Sequence, residues 1–163
     1  MNRAVHRFVL RLFGLIPWPI QRALIGVVKP NYVAGASAVV TDEAGRILLV
    51  RHSYKDGWST PGGFLNRREL PTEGLVREVW EEVGLRVTPF DEPVVVLRTE
   101  DRIVEFVQQV RLIDEAAGAH PRSVSAEIDA VQWFEPDELP ELAKVTREAL
   151  EALAAAKTRR DQA

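Results

Sequence analysis

The stretch from Gly62 to Leu85, GGFLNRRELPTEGLVREVWEEVGL, constrains this chain more than any other. Two glycines open it, a turn-like run follows, and the pattern then predicts a helix over Thr72 to Val83. Pro71 precedes that helix, where a missing N–H does no harm, and Gly84 follows at the usual stop position. Val76, Val79, Trp80 and Val83 recur at i, i+3, i+4 and i+7, a stripe expected to be buried. Glu78, Glu81 and Glu82 recur with the same spacing on another side. Three carboxylates that close repel one another, and packing supplies no reason for them. A divalent cation would relieve the repulsion and use the oxygens. Arg77 stands four residues before Glu81, placed to pair with it across one turn and to hold the acids. Glu69 adds a further acid in the loop, and Gly63 a backbone that a ligand can approach closely.

Glutamates on a helix usually form only a solvated face. Here the whole pattern argues otherwise. Gly63, five residues, Glu69, seven residues, then Arg77-Glu78-Val79-Trp80-Glu81-Glu82-Val83-Gly84-Leu85 resembles the complete signature of the Nudix hydrolases. The resemblance implies an α/β fold, an α/β/α sandwich around a mixed β-sheet, carried by a domain over residues 32–157.

Outside that stretch the composition sets limits. The chain has 163 residues, 46% of them hydrophobic, enough for one domain with its own core. It has no cysteine, which excludes disulfides, thiolate metal sites and a cysteine nucleophile, and suits a cytoplasmic location. A net charge of −3 gives no case for a stable nucleic-acid partner. The charge is uneven, however. Residues 1–31 hold Arg3, Arg7, Arg11, Arg22 and Lys29 and no acid, so the 24 acidic residues all lie beyond them.

Residues 1–31 read as a basic, amphipathic helical extension. Val5, Phe8, Val9, Leu12 and Ile16 form an apolar stripe opposite the arginines, Pro17-Trp18-Pro19 breaks the helix, and Ile20 to Val28 makes a second short run. Arginines and prolines interrupt the apolar stretch, so it reads neither as a signal sequence nor as a span. Packing on its own domain or on a second copy, giving a homodimer, is the plain expectation. A peripheral membrane contact is the sharper one.

Strands are expected over Tyr32 to Thr41, Arg46 to Val50, Arg86 to Thr88, Val94 to Arg98, Ile103 to Ile113 and Ala130 to Phe134. A polar loop is expected over Asp114 to Ser125. A final helix is expected over Glu141 to Lys157, with residues 158–163 a frayed tail. Arg51 and Lys55 stand just before the Pro61-Gly62-Gly63 turn and are candidates to contact substrate phosphates. Trp58 reads as a packing residue, and His52 has no recognisable partner.

What the resemblance implies is metal-dependent hydrolysis of a nucleoside diphosphate linked to another moiety, with water attacking phosphorus and Mg²⁺ or Mn²⁺ as cofactor. Glu78, Glu82, Glu81 and the Gly63 carbonyl would be the metal ligands. Arg77 would orient the glutamates, with Gly62, Glu69 and Gly84 supporting the motif. Glu81 and Glu82, with a glutamate recruited from a later loop, would act in catalysis, and Glu127 is the candidate for that later residue. A non-catalytic Nudix-like nucleotide-binding or regulatory module is the alternative, although such modules usually lack one of the helix glutamates. An isopentenyl diphosphate isomerase, which shares the fold, is discounted because its chemistry needs a cysteine. The loop departs from the family's commonest form at Asn66 and Arg68, where Glu and Gly are usual, and at Gly74, where Ala is usual.

Overall fold

The computed structural model describes residues 3–113 and 121–162, with nothing said of the side chains of residues 3–6, 9 and 10. The expected loop over Asp114 to Ser125 therefore lies outside the described residues from 114 to 120. So do the side chains of Val5 and Val9 in the N-terminal stripe. The chain divides into two compact units, Met1–Tyr32 and Val33–Ala163.

The first unit is two helices, α1 (Arg3–Gly14) and α2 (Trp18–Val28). Pro17 sits immediately before α2 in an extended conformation, where its ring starts a helix but cannot continue one. Gln21 ties the second helix to the turn by donating to the Ile16 carbonyl at 2.6 Å. No residue of α2 is buried, and Trp18, Ile20, Leu24 and Val27 are exposed. No helix among the described residues is long and apolar enough to cross a membrane.

The second unit is an α/β sandwich. Its strands are β1 (Val33–Thr41), β2 (Ile47–His52), β3 (Gly62–Phe64), β4 (Val87–Pro89), β5 (Val94–Arg98), β6 (Ile103–Leu112) and β7 (Ile128–Phe134). Two helices complete it, α3 (Pro71–Val83) and α4 (Lys144–Asp161). The sheet is ordered β4-β6-β1-β2-β7, with β3 paired to β1 and β5 to β6. β1 and β6 run parallel and every other pair antiparallel, so the sheet is mixed.

β1 explains the layering. Its run of small and β-branched residues is buried on both faces, as a central strand requires. Ala36, Ala38 and Val40 pack with Leu75, Val79 and Val83 of α3. Val39, facing the other way, packs with Val107, Ala149 and Leu153 beneath α4. Each helix thus covers one face through residues spaced by one turn.

Four details differ from the sequence expectation. The motif's glycines form the short strand β3 instead of a loop, because Gly62 and Gly63 can lie flat against Ser37 and Ala36. Trp80 is not in the buried stripe but is 56% exposed. The helix is turned so that Leu75, Val79, Glu82 and Val83 face inward, which brings the Glu82 carboxylate to the sheet. Gly74 is more than a weak spot in the helix: a Cβ there would lie 2.4 Å from the Leu65 side chain. Finally, α4 begins three residues later than Glu141 and continues to Asp161, so residues 158–161 are helical. Arg160 pairs with Asp91 on the connection between β4 and β5, which holds that last turn.

Candidate active site

The site is assembled where β3, α3 and the strand ends of β2 and β7 meet. Helix α3 is delivered by a small loop that Glu69 organises. Its carboxylate accepts the Asn66 N–H at 2.6 Å and two Arg77 N–H groups, from Nε at 2.7 Å and from the guanidinium terminus at 2.9 Å. These bonds hold the Glu69 carboxyl down at about 2, well below the usual carboxylate range, the Arg77 bond being the largest cause. Glu73 accepts from the Leu70 N–H at 3.0 Å and caps the first turn. Gly84 closes the helix in the left-handed conformation, φ 69°, with its N–H on the Trp80 carbonyl at 3.0 Å.

Arg77 is the hub. Besides Glu69 it donates to Glu78 at 2.8 Å, to Glu81 at 2.9 Å and to the Phe64 carbonyl at 3.2 Å. The pairing with Glu81 is the one the four-residue spacing predicts. The hydrogen bond to Glu69, with those to Glu78 and Glu81, pushes the guanidinium pKa still further above its ordinary value, while burial opposes the rise. One planar fork therefore sets the loop, the helix and the end of β3 relative to one another.

The glutamates fall into two groups. Glu82 is 7% exposed and accepts the Gly62 N–H at 3.1 Å. Glu78 is half-buried beside Gly63, so close that a Cβ on that glycine would lie 2.5 Å from its Oε1. Both line a cleft of about 580 Å³, together with Gly62, Gly63, Lys55 and Glu127. Glu81 does not line it; its side chain is 54% exposed and held by Arg77. The expected cage of three helix carboxylates is therefore not preformed. Arg77 occupies the space between Glu78 and Glu81, and among the described residues no three acids or histidines are gathered as a ready metal cluster.

Burial pushes the Glu82 carboxyl up to about 7, with Glu78 and Glu127 raising it further while the Gly62 N–H and Lys55 oppose the rise. Glu78 and Glu127 thus press on Glu82 within the cleft, with Lys55 to offset them. That is the electrostatic condition a divalent cation relieves, and carboxylate oxygens are the hard donors that Mg²⁺ or Mn²⁺ takes. The donor set fits such an ion.

Glu127 arrives from across the sheet. The Val124 and Arg122 N–H groups bond the Glu82 and Val83 carbonyls at 3.0 and 3.3 Å, so this segment is fastened to the last turn of α3. The Ser53 N–H then bonds the Glu127 carbonyl at 2.9 Å, and the Tyr54 hydroxyl donates to its carboxylate at 3.2 Å. Lys55 lines the same cleft, but Arg51 does not. Alternation along β2 sends His52 into the cleft and Arg51 to the opposite side, over the Trp58 ring at 5.7 Å. Trp58 itself packs edge-on against Phe134, 4.9 Å between centroids, as a structural residue.

Two residues that the sequence left without a role are here. His52 is 4% exposed, lowered in pKa by burial and by Lys55, and its Nδ1 has no partner. Tyr54 is the contact that holds Glu127. The hint available beforehand was only their position at the end of a strand leading to Gly62 and Gly63.

A model of the NUDIX domain matches residues 31–155. The chain belongs to the Nudix family. This Nudix chain is similar to a MutT-like protein of Streptomyces ambofaciens, 37% identical over 112 residues, which covers 69% of this chain and 70% of that protein. Among solved structures it is similar to a MutT protein from Methanosarcina mazei Go1, with a TM-score of 0.63 and 26% identity over 78% of this chain and 96% of that one. It is likewise similar to an ADP-ribose pyrophosphatase of Streptococcus suis 89-1591, with a TM-score of 0.61 and 28% identity over 75% of this chain and 87% of that one. The chain is thus an enzyme of the Nudix pyrophosphohydrolase class, a class that generally uses divalent metal ions.

Proposed function

We propose that this chain hydrolyses the phosphoanhydride bond of a nucleoside diphosphate linked to a second moiety, such as a nucleotide-sugar, ADP-ribose or a nucleoside triphosphate. The observation that carries the reading is the buried Glu82 facing Glu78 and Glu127 across one cleft, beside the two glycines of β3 with no side chain in the way. Glu78 and Glu82 would hold the Mg²⁺ or Mn²⁺, and Glu81 and the Gly63 carbonyl are the further ligands that the family pattern implies, Glu81 after exchanging its bond to Arg77. When bound, the ion supplies neutralisation of the charge that builds on phosphate oxygens and a lower pKa for water.

The side chains divide the remaining work. Arg77 fixes the Glu78 carboxylate, and the Gly62 N–H fixes that of Glu82. Lys55 reaches into the cleft where phosphate oxygens would lie. Glu127, steadied by Tyr54, accepts a proton as the water oxygen bonds to phosphorus and the bridging P–O bond breaks. Loss of the buried carboxylate should lower the rate by about 100-fold or more. Product release from a panel of nucleotide derivatives with Mg²⁺ or Mn²⁺, for the wild type and Glu82→Gln, tests this. Binding without turnover on every member would favour the non-catalytic module instead.

The exposed apolar residues of α2 support association of two copies, and the lack of cysteine agrees with a cytoplasmic site of action. Light scattering on the full chain, with and without anionic vesicles, separates a dimer from a chain that binds a membrane surface.

A further inference from the structure

Residues 1–31 carry charge and apolar surface that the proposed reaction does not use. Their arginines and lysine come with no acid, so within this unit no cation has a counter-charge. On α1 and the residue just past it, Phe8, Leu12 and Leu15 recur at i, i+4 and i+7, and all three are exposed, Leu15 by 81%. Arg7 and Arg11 are exposed too, and each stands one residue before a member of that stripe, about 100° round the helix. The guanidinium groups therefore flank an apolar strip that nothing in the unit covers.

Helix α2 has two sides. Ile20, Leu24 and Val27 make one that is wholly apolar and exposed, and this is the side that suits a second copy. Trp18 and Arg22, four residues apart, make the other, with Ile25 following at i+7 and Lys29 at the C-cap. Trp18 is 66% exposed. A tryptophan beside cations suits the level of lipid headgroups, where the ring is half in an apolar phase and long basic side chains reach the phosphates. Pairing two α2 helices covers the apolar side, but it adds cations without adding an acid from this segment. The charge on α1 and on the Trp18 side of α2 calls for a different partner.

We infer that residues 1–31 dock on an anionic lipid surface: Phe8, Leu12, Leu15 and Trp18 enter the boundary between headgroups and acyl chains, while Arg7, Arg11, Arg22 and Lys29 meet lipid phosphates. The inference goes beyond the proposed reaction and does not depend on it. The chemistry selects this partner over others. An oligonucleotide supplies anions but no apolar phase for Leu12 and Leu15, and a neutral bilayer supplies the apolar phase without the anions. No helix among the described residues is long and apolar enough to cross a membrane, so the contact lies in the plane of the surface. The rest of the chain carries all 24 acidic residues and has no such attraction, so attachment depends on the first unit.

Flotation of the full chain with vesicles of phosphatidylglycerol and phosphatidylcholine, and with vesicles of phosphatidylcholine alone, tests this. The chain should partition about tenfold or more strongly into the anionic vesicles and be released as salt rises. A cation near such a surface contributes about fivefold, so Arg7→Gln combined with Arg11→Gln should weaken binding about 25-fold. Phe8→Ser combined with Leu12→Ser should weaken it about tenfold or more, through lost apolar burial. Brominated lipid should quench the wild type and not Trp18→Phe. Thermal melts and turnover of a nucleotide substrate should match wild type in every variant, which separates lost docking from lost folding. Copies paired through α2 should still float with the anionic vesicles; a dimer that stays behind returns the segment to subunit association and overturns the docking. Equal partition into both kinds of vesicle, or undiminished binding in both double variants, would overturn it too, as would an oligonucleotide that displaces the chain from the vesicles. Vesicle binding without turnover of any nucleotide would refute the proposed reaction and leave the docking standing.

Discussion

Gly62 and Gly63 are neighbours in the same short strand, yet the structure gives them opposite duties, and replacing each with alanine separates them. A Cβ on Gly62 would lie 2.5 Å from the Ala36 carbonyl oxygen and 2.7 Å from Ser37 Cα, both backbone atoms of the central strand. Such overpacking costs about 1–3 kcal/mol. Displacing β3 also loosens the Gly62 N–H bond to the Glu82 carboxylate, 3.1 Å in length, and a hydrogen bond to a charged group contributes about 1.5–3 kcal/mol. Gly62→Ala should therefore lose roughly 3–5 kcal/mol, a fall in Tm of roughly 10 °C for a domain of this size. The three atoms nearest a Cβ on Gly63 all belong to the Glu78 carboxylate, with Oε1 at 2.5 Å and Cδ at 2.6 Å, and a glutamate can swing its end aside. Gly63→Ala should cost less than about 1 kcal/mol and lower kcat/KM by about 100-fold, because the displaced carboxylate no longer faces Glu82. Calorimetry and initial-rate measurements on both proteins read the contrast. Equal losses of Tm, or full activity in Gly63→Ala, would refute the assignment of the two glycines.

Three further outcomes are expected. Glu127→Gln should lower kcat about 10-fold or more with Tm within a degree or so of wild type, and full turnover would remove Glu127 from the reaction. Because Arg77 and the Asn66 N–H depress the Glu69 carboxyl to about 2, Glu69 stabilises the fold above its unfolded value of about 4.3, and that contribution is lost as pH falls from there through about 2. A Glu69→Gln protein should show a shallower loss of stability over that window in acid unfolding, and identical slopes would contradict the pairing. Arg68 adopts φ 68°, a left-handed conformation that costs a residue with a Cβ about 1–2 kcal/mol. Arg68→Gly should raise stability by about 0.5 kcal/mol once glycine's greater freedom in the unfolded chain is subtracted, and a lower Tm would show that the strain is absent.

Much of the site could be read beforehand because its parts are local. The helix expected over Thr72 to Val83 and the Arg77–Glu81 pair follow from spacing within one or two turns. The orientation of α3 was less legible. Val76 with Trp80, and Leu75 with Glu82, are both helical spacings, and a carboxylate scores as polar in any hydrophobic pattern. What turns Glu82 inward is the Gly62 N–H, 20 residues earlier in the chain. The same limit hid the two groups of glutamates: Arg77 reaches four acceptors, and spacing along the helix indicates only one. Arg51 and His52 show the period-two problem directly. Both stand at the end of β2, and only the register with β7 decides which of them faces the cleft. The usual glycine at position 68 now has a physical reason in the backbone angle there, which Arg68 adopts at a cost.

The fastening of the Arg122–Val124 segment to the end of α3 uses backbone groups alone, N–H to carbonyl, on both sides. Replacements at Arg122 and Val124 leave those backbone bonds in place, Ser123 and Ser125 add side-chain bonds next to Glu127, and adding or removing a single residue between Val124 and Glu127 would shift the carboxylate by roughly 3 Å and spoil its alignment. Drift in sequence and drift in length therefore have very different consequences at this one crossing, and an engineer who wishes to retune the reaction should alter the loop's letters and preserve its count.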